Sequence, residues 1–257
     1  MHAKKSLGQN FLMHARIAAR IADSAKLKPD SVVLEIGPGT GMLTRELLKR
    51  AGKVIAIEAD EGLFEKLQTD FAGEIARGAL ELIHGDIRTY NDHQRSWGIV
   101  DTYQVVANIP YYLTGEIFRM FLESECQPSA MTLLVQKEVA ERIARSKKES
   151  ILSLSVKAYG EPKYEFTVPR GAFRPAPNVD SAVIAIRGIS RKNFASRTEE
   201  KHFFDLLHAG FAHKRKLLAS NLAGLASPEA LASAGIPGNA RAEDVLLGQW
   251  LALARAS

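Results

Sequence analysis

Short apolar runs alternate with segments whose apolar positions recur every three or four residues along most of the chain. Ser31-Val32-Val33-Leu34-Glu35-Ile36 is an apolar run ending in glycines, the pattern of a strand buried on both faces. Met42 to Ala51 then carries Leu43, Leu47 and Leu48 at helical spacing, and Gly52 stops that helix. Residues 53–58 predict a second strand and 62–71 a helix; 80–84 and 103–107 predict the third and fourth strands. A helix over 115–122, a strand over 131–136, a helix over 137–145 and strands near 163–168 and 181–186 continue the series. Repeated β-α units with buried strands predict an α/β fold of Rossmann-like type, a mostly parallel, doubly wound sheet.

Past Arg187 the pattern changes. Gly188, Ser190, Arg191, Lys192 and Asn193 read as a polar linker, and helical spacing follows over 199–211, 217–225, 228–234 and 242–254. The expected division is therefore 1–187 for the α/β domain and 188–257 for a small all-α domain, too small to be very stable alone.

Composition adds little to that picture, and charge adds more. With 46% apolar and 25% charged residues in 257, the chain is ordinary globular material. No stretch approaches the ~18 to 20 consecutive apolar residues of a membrane span. The basic start Met1-His2-Ala3-Lys4-Lys5 resembles a signal n-region, but Gly8, Gln9 and Asn10 interrupt any apolar core, so secretion is not expected. Cys126 is the single cysteine and the seven histidines lack ligand spacing, so neither a disulfide nor a metal site is expected, and a reducing cytoplasm is the default. Residues 1–186 hold 24 basic and 23 acidic side chains, whereas 187–257 hold 10 and 6. A basic tail on a near-neutral domain suits a polyanionic partner, although a solvated surface would look the same.

Glu35-Ile36-Gly37-Pro38-Gly39-Thr40-Gly41 lies where the first strand turns into a helix. Glycines there let the backbone approach a ligand, and the helix start offers free N–H groups. The spacing is G-x-G-x-G followed by Met42, not the G-x-G-x-x-G of dinucleotide sites, and Pro38 removes a donor that a pyrophosphate would use. Glu58, 21 residues after Gly37 at the end of the next strand, is placed to accept hydrogen bonds from a ribose diol. A ribose without a pyrophosphate points to S-adenosylmethionine as cofactor. Asp86, ending the third strand, offers an acceptor for an adenine amine or, equally, caps the next helical turn.

Asn108-Ile109-Pro110-Tyr111 follows the fourth strand. This cluster suits methylation of a planar exocyclic amine, whose delocalised lone pair makes it a poor nucleophile. The Asn108 side-chain oxygen and a backbone carbonyl of Ile109 or Pro110 would bind its two N–H groups and strengthen as positive charge builds on nitrogen. Pro110 would stiffen the loop, and Tyr111 would give a flipped base a face to stack on. An ordinary turn after a strand has the same composition.

With Gln9-Asn10-Phe11-Leu12 and Phe173-Arg174-Pro175-Ala176-Pro177-Asn178-Val179-Asp180-Ser181, these motifs make the whole chain resemble the ribosomal RNA adenine dimethyltransferases, most nearly the bacterial small-subunit (16S) type. The resemblance implies that Asn10 and Leu12 cap the cofactor, that Gly37, Glu58, Asp86 and Asn108 complete its site, and that Tyr111 and Phe173 sandwich the target adenine. From the residues alone, 9–12 could equally be a frayed terminus and Phe173 a core aromatic. The family dimethylates the N6 amines of two adjacent adenosines in the 3′-terminal hairpin of 16S rRNA on a precursor 30S subunit. Tyr112 stands where asparagine is often found, which implies a changed pocket rim and the same reaction.

Lys214, Arg215 and Lys216, at an expected helix start, resemble the family's rRNA-contacting stretch. Arg142, Arg145, Lys147 and Lys148 form a second basic patch at a helix end, where some would complement the helix dipole. A monomer without membrane association is expected. The alternatives are a large-subunit (23S) methyltransferase of the macrolide-resistance type, a noncatalytic RNA-binding assembly factor and, least favoured by Met42, a nicotinamide oxidoreductase.

Overall fold

A computed structural model describes residues 9–89 and 102–257, so the basic first residues fall outside it. Its α/β part is built from β2 (Val32–Ile36), β3 (Lys53–Glu58), β4 (Leu80–His84), β5 (Tyr103–Asn108), β6 (Ala130–Gln136), β7 (Glu161–Val168) and β9 (Ser181–Arg187). The short strands β1 (Phe11–Leu12) and β8 (Phe173–Arg174) pair with each other in a separate antiparallel ribbon. The seven-stranded sheet has the order β4-β3-β2-β5-β6-β9-β7. Strands β4 to β6 run parallel, and β9 is antiparallel to β6.

That order has a functional consequence. From β2 the chain winds outward through β3 to β4, then returns to place β5 on the other side of β2. A crevice opens where the winding reverses, outside the carboxyl ends of β2 and β5, and open α/β sheets bind ligands there. The apolar strand runs are buried as their composition requires: Val33, Leu34, Val54, Ile55, Val105 and Val106 have no exposed surface.

The helices are α1 (Ala15–Ser24), α2 (Met42–Leu47), α3 (Glu61–Asp70), α4 (Ala72–Ala76), α5 (Thr114–Glu123), α6 (Lys137–Ala144), α7 (Ile151–Tyr159), α8 (Arg197–Gly210), α9 (Leu218–Asn221), α10 (Pro228–Ser233) and α11 (Leu247–Ala256). Three of them, α1, the short α4 and α7, are absent from the sequence expectation. Helix α1 buries Ala18, Ile21 and Ala22 on one face and sets its arginines on the other, a helical period present in the sequence but missing from the expectation. Helix α7 is apolar on most sides, which blurs its period, but Ser150 and Ser153 cap each other's backbone N–H groups at its start.

Helix α7 also alters the expected division. The α/β unit comprises the chain up to Ala140 plus Pro162–Ile189, and the helical unit comprises Glu141–Glu161 plus Ser190–Ser257. The helical unit is thus discontinuous in sequence, where one cut at 187/188 was expected. Within it, the buried Glu200 of α8 accepts from the Tyr159 hydroxyl of α7 at 2.5 Å and pairs with Arg191 and Arg197 at 3.1 and 3.0 Å. A carboxylate so enclosed needs those partners, and they draw α7 into this unit.

Candidate active site

The glycine turn after β2 is shaped by three residues with positive φ, Gly37 (63°), Gly39 (59°) and Gly41 (75°). At Gly41 a Cβ would also lie 2.5 Å from the Phe71 ring, so packing demands glycine as firmly as the backbone does. At Gly39 it would lie 3.2 Å from the ring of Phe11, which rests over the turn.

Glu58 locks the turn to the end of β3. One carboxylate oxygen accepts the Gly39 N–H at 3.0 Å and the other the Asp60 N–H at 2.9 Å. Burial raises the Glu58 pKa, against the pull of those backbone donors. Each oxygen keeps a lone pair, so the ribose-binding role expected of Glu58 remains geometrically open. Beneath the turn, Glu35 is 1% exposed, and burial pushes its carboxyl up to about 8 despite the Thr44 hydroxyl, with the Glu58 charge adding to the rise. Glu35 has no role in the sequence expectation, although the run that contains it already predicts a strand buried on both faces.

Asp86 takes up the capping role that was one of the two readings made of it. Its Oδ1 accepts the Arg88 N–H at 2.9 Å as a cap on the following turn, while the Arg88 guanidinium grips both oxygens at 2.5 to 3.0 Å. Arg88 accordingly holds the Asp86 carboxyl below its ordinary range. An adenine amine at Asp86 would share those oxygens with Arg88, a partner not anticipated from sequence.

At the end of β5, half-buried Asn108 donates its side-chain amide to the Asn10 carbonyl at 3.1 Å. A carbonyl can only accept, so this bond identifies the amide's donor end and leaves its oxygen as the acceptor end. Ile109 is buried, and the Pro110 carbonyl closes the next turn on the Leu113 N–H at 3.0 Å. The Tyr111 hydroxyl shares a 2.7 Å hydrogen bond with buried Ser181 of β9, and burial raises its pKa. Tyr112 is 58% exposed at the rim.

One cavity gathers Asn10, Phe11 and Leu12, the glycine turn, Glu35 and Glu58, Asp86 with Arg88, and residues 108–113. It thus unites Asn10, Leu12, Gly37, Glu58, Asp86, Asn108, Ile109, Pro110 and Tyr111 from the expected site. Phe173 is not among the residues that line it: 5% exposed, it packs in the core with Leu12, its partner in the β1–β8 ribbon, and with Val168 and Ala172. Position in a motif conveyed Phe173's neighbours in the chain, but not which way its ring turns.

The expected RNA-contacting residues all lie in the helical unit. Lys214, Arg215 and Lys216 are exposed on the turn between α8 and α9, not in a helix, and the Asn221 side chain pins that turn through the Gly210 carbonyl at 2.6 Å and the His213 carbonyl at 3.2 Å. Arg142, Arg145, Lys147 and Lys148 are exposed too, but Lys148 is paired with Glu243 and lies 3.8 Å from Asp244. Lys148, Arg241 and Lys214 together hold the Glu243 carboxyl low, which brings the two basic patches to one carboxylate.

Comparison with known proteins bears on this geometry. The model of the family described as ribosomal RNA adenine dimethylase matches residues 1–256. A ribosomal RNA small subunit methyltransferase A of Dehalococcoides mccartyi is 41% identical, covering 97% of this chain and 87% of its own. Its namesake from Listeria monocytogenes is 37% identical over 86% and 76%. Among solved structures, the 23S rRNA methyltransferase ErmE superposes with a TM-score of 0.79 at 29% identity, covering 96% of this chain and 99% of that one. A dimethyladenosine transferase from Plasmodium falciparum shares the fold, with a TM-score of 0.74 at 24% identity and 95% coverage of both.

Proposed function

The chain belongs to the ribosomal RNA adenine dimethylase family, and from that premise we propose that its acceptor is 16S rRNA within a precursor 30S subunit, where it dimethylates two adjacent adenosines of the 3′-terminal hairpin. The protein is an enzyme that transfers methyl groups to adenine in ribosomal RNA with S-adenosylmethionine as donor, on a class I methyltransferase fold. Small-subunit methyltransferases about 40% identical over most of the chain support the choice of 16S over 23S rRNA. Within this reading the enzyme acts as a cytoplasmic monomer during subunit biogenesis. None of the helices described is long and apolar enough to cross a membrane.

The cavity fits the cofactor chemically: acceptors stand at three successive strand ends around a glycine turn, and Phe11 covers the turn. Glu58 would take the ribose, Asp86 the adenine amine, and Asn10 and Leu12 would close the site. When bound, S-adenosylmethionine supplies an electrophilic sulfonium methyl. The chain's own residues do the rest. The Asn108 oxygen and a backbone carbonyl accept the two N–H groups of the adenine amine. The second acceptor is the Ile109 carbonyl or the spare lone pair of the Pro110 carbonyl, whose other one closes the turn on Leu113. Both bonds strengthen as charge develops on nitrogen, so they favour the transition state over the ground state. Tyr111, its hydroxyl tied to Ser181, presents a fixed ring for the flipped base.

The observation that carries the reading is the anchored Asn108 amide, whose oxygen is the end left for substrate. Methyl transfer from labelled S-adenosylmethionine to small subunits lacking the modification, followed by nuclease digestion and mass analysis, tests it. Dimethyladenosine near the 16S 3′ end is expected. Transfer to 23S rRNA alone would reassign the substrate to the large subunit, and RNA binding without transfer would favour an assembly factor.

A further inference from the structure

The first helix carries cations that the proposed site does not use. Arg16 and Arg20 are exposed and four residues apart, hence on one face of α1. They border a shallow depression whose other wall is Pro169, Gly171 and Ala172, and the Met13 N–H bonds the Ala172 carbonyl at 2.9 Å to hold the walls together. Arg170 and Arg174 are exposed on that second wall's segment.

No carboxylate is paired with the guanidinium of any of these four arginines among the described residues. Arg20 lies over the Phe166 ring at 3.9 Å, a stack that fixes its plane and leaves its edge donors unspent, and Asp180 accepts from the backbone N–H of Arg170 rather than from its side chain, at 2.9 Å. The face is continuous with the active site, because Arg174 stands opposite Phe11 in the β1–β8 register and Phe11 lines the cavity. Exposed arginines are often balanced by neighbouring acids, as Arg88 is by Asp86 and Arg255 by Glu199 here. An unbalanced set beside the cavity creates a positive potential suited to an anion from outside.

We propose that Arg16, Arg20, Arg170 and Arg174 form a phosphodiester-binding face on the α/β unit, which grips the substrate RNA backbone beside the cavity and holds the target adenine at its mouth. The proposal rests on ribosomal RNA being the acceptor. It makes these arginines positioning residues, separate from the cations of the helical unit.

The test is equilibrium binding of the full-length enzyme to methyl-deficient small subunits across a salt series, for wild type, Arg16→Ala/Arg20→Ala and Arg16→Lys/Arg20→Lys. Loss of two phosphate contacts should lower the slope of log affinity against log salt by about 1.5. The alanine variant should show a raised KM for subunits, an unchanged saturating rate and an unchanged thermal shift with S-adenosylmethionine, and the lysine variant should restore the slope. An alanine variant with the wild-type slope and KM would overturn the proposal, as would a defect that lysine does not rescue. Binding is read without turnover, so a wild type that binds small subunits but does not methylate them would overturn the proposed reaction in favour of an assembly factor, and not the arginine face.

Discussion

At the ends of β3, β4 and β5 the polar groups are already held before any substrate arrives: Glu58 by two backbone N–H groups, Asp86 by Arg88, Asn108 by the Asn10 carbonyl, Tyr111 by Ser181. On the turn between α8 and α9, Lys214, Arg215 and Lys216 are exposed, and Asn221 fixes only the backbone that carries them. The difference follows from what each region must do. Stabilising charge that develops on one nitrogen requires dipoles oriented in advance, because reorientation during the reaction would cost the energy they supply. Attracting a phosphate backbone requires net charge and tolerates mobile side chains, since the gain is largely counterion release.

Mutations can separate the two roles, beginning with the largest effect. Asn108→Ala should lower methyl transfer by about a hundred- to a thousand-fold, the range for removing one preorganised transition-state hydrogen bond. Affinity for small subunits should stay near wild type. Equal loss of rate and binding would make Asn108 structural and erase the contrast.

The complementary change is Lys214→Ala/Arg215→Ala/Lys216→Ala. Its salt slope for RNA binding should fall by about 2 to 3, roughly one per lost phosphate contact, with turnover on saturating subunits retained. An unchanged slope would show that these cations meet solvent only.

Glu35 sharpens the comparison from inside the pocket. Below about 4.5 its carboxyl is protonated whether the chain is folded or not. Between 4.5 and about 8 the folded protein keeps a proton that the unfolded chain releases, so Glu35 makes stability fall as pH rises through that window. Glu35→Gln cannot ionise, and its thermal midpoint should decline less than the wild type's from pH 5 to pH 8. Parallel curves would mean that Glu35 is charged in the folded state.

The smallest effect is expected of Tyr111→Phe. Loss of one hydrogen bond to Ser181 should cost about 1 kcal/mol, a midpoint shift of roughly 2–4 °C for a protein of this size. Methyl transfer should change only a few-fold, because the ring face remains. A large rate loss would assign the hydroxyl a direct role.

Much of this molecule was legible along the chain. Runs such as Val32 to Ile36 and Lys53 to Glu58 form the strands expected of them, because a strand buried on both faces has to be apolar throughout. Gly37, Gly39 and Gly41 marked the turn, because few other residues accept positive φ, and Asn108 to Tyr111, singled out after the fourth strand, line the same cavity. The same periodicity, broken between 211 and 217, left Lys214 to Lys216 just ahead of a helix start, and they lie on the turn that leads into α9.

Sequence by itself therefore determined the seven strands of the main sheet in their chain order, the glycine turn and the residue types at each strand end, all of which depend on neighbours within a few positions. Only the tertiary structure decided that Asn10 orients Asn108 from 98 residues away, that Arg88 turns back onto Asp86, that α7 joins the helical unit and that the Phe173 ring lies in the core. Those outcomes depend on which groups compete for each burial site and hydrogen-bond partner once the chain has closed, and that competition leaves no periodic trace in the sequence.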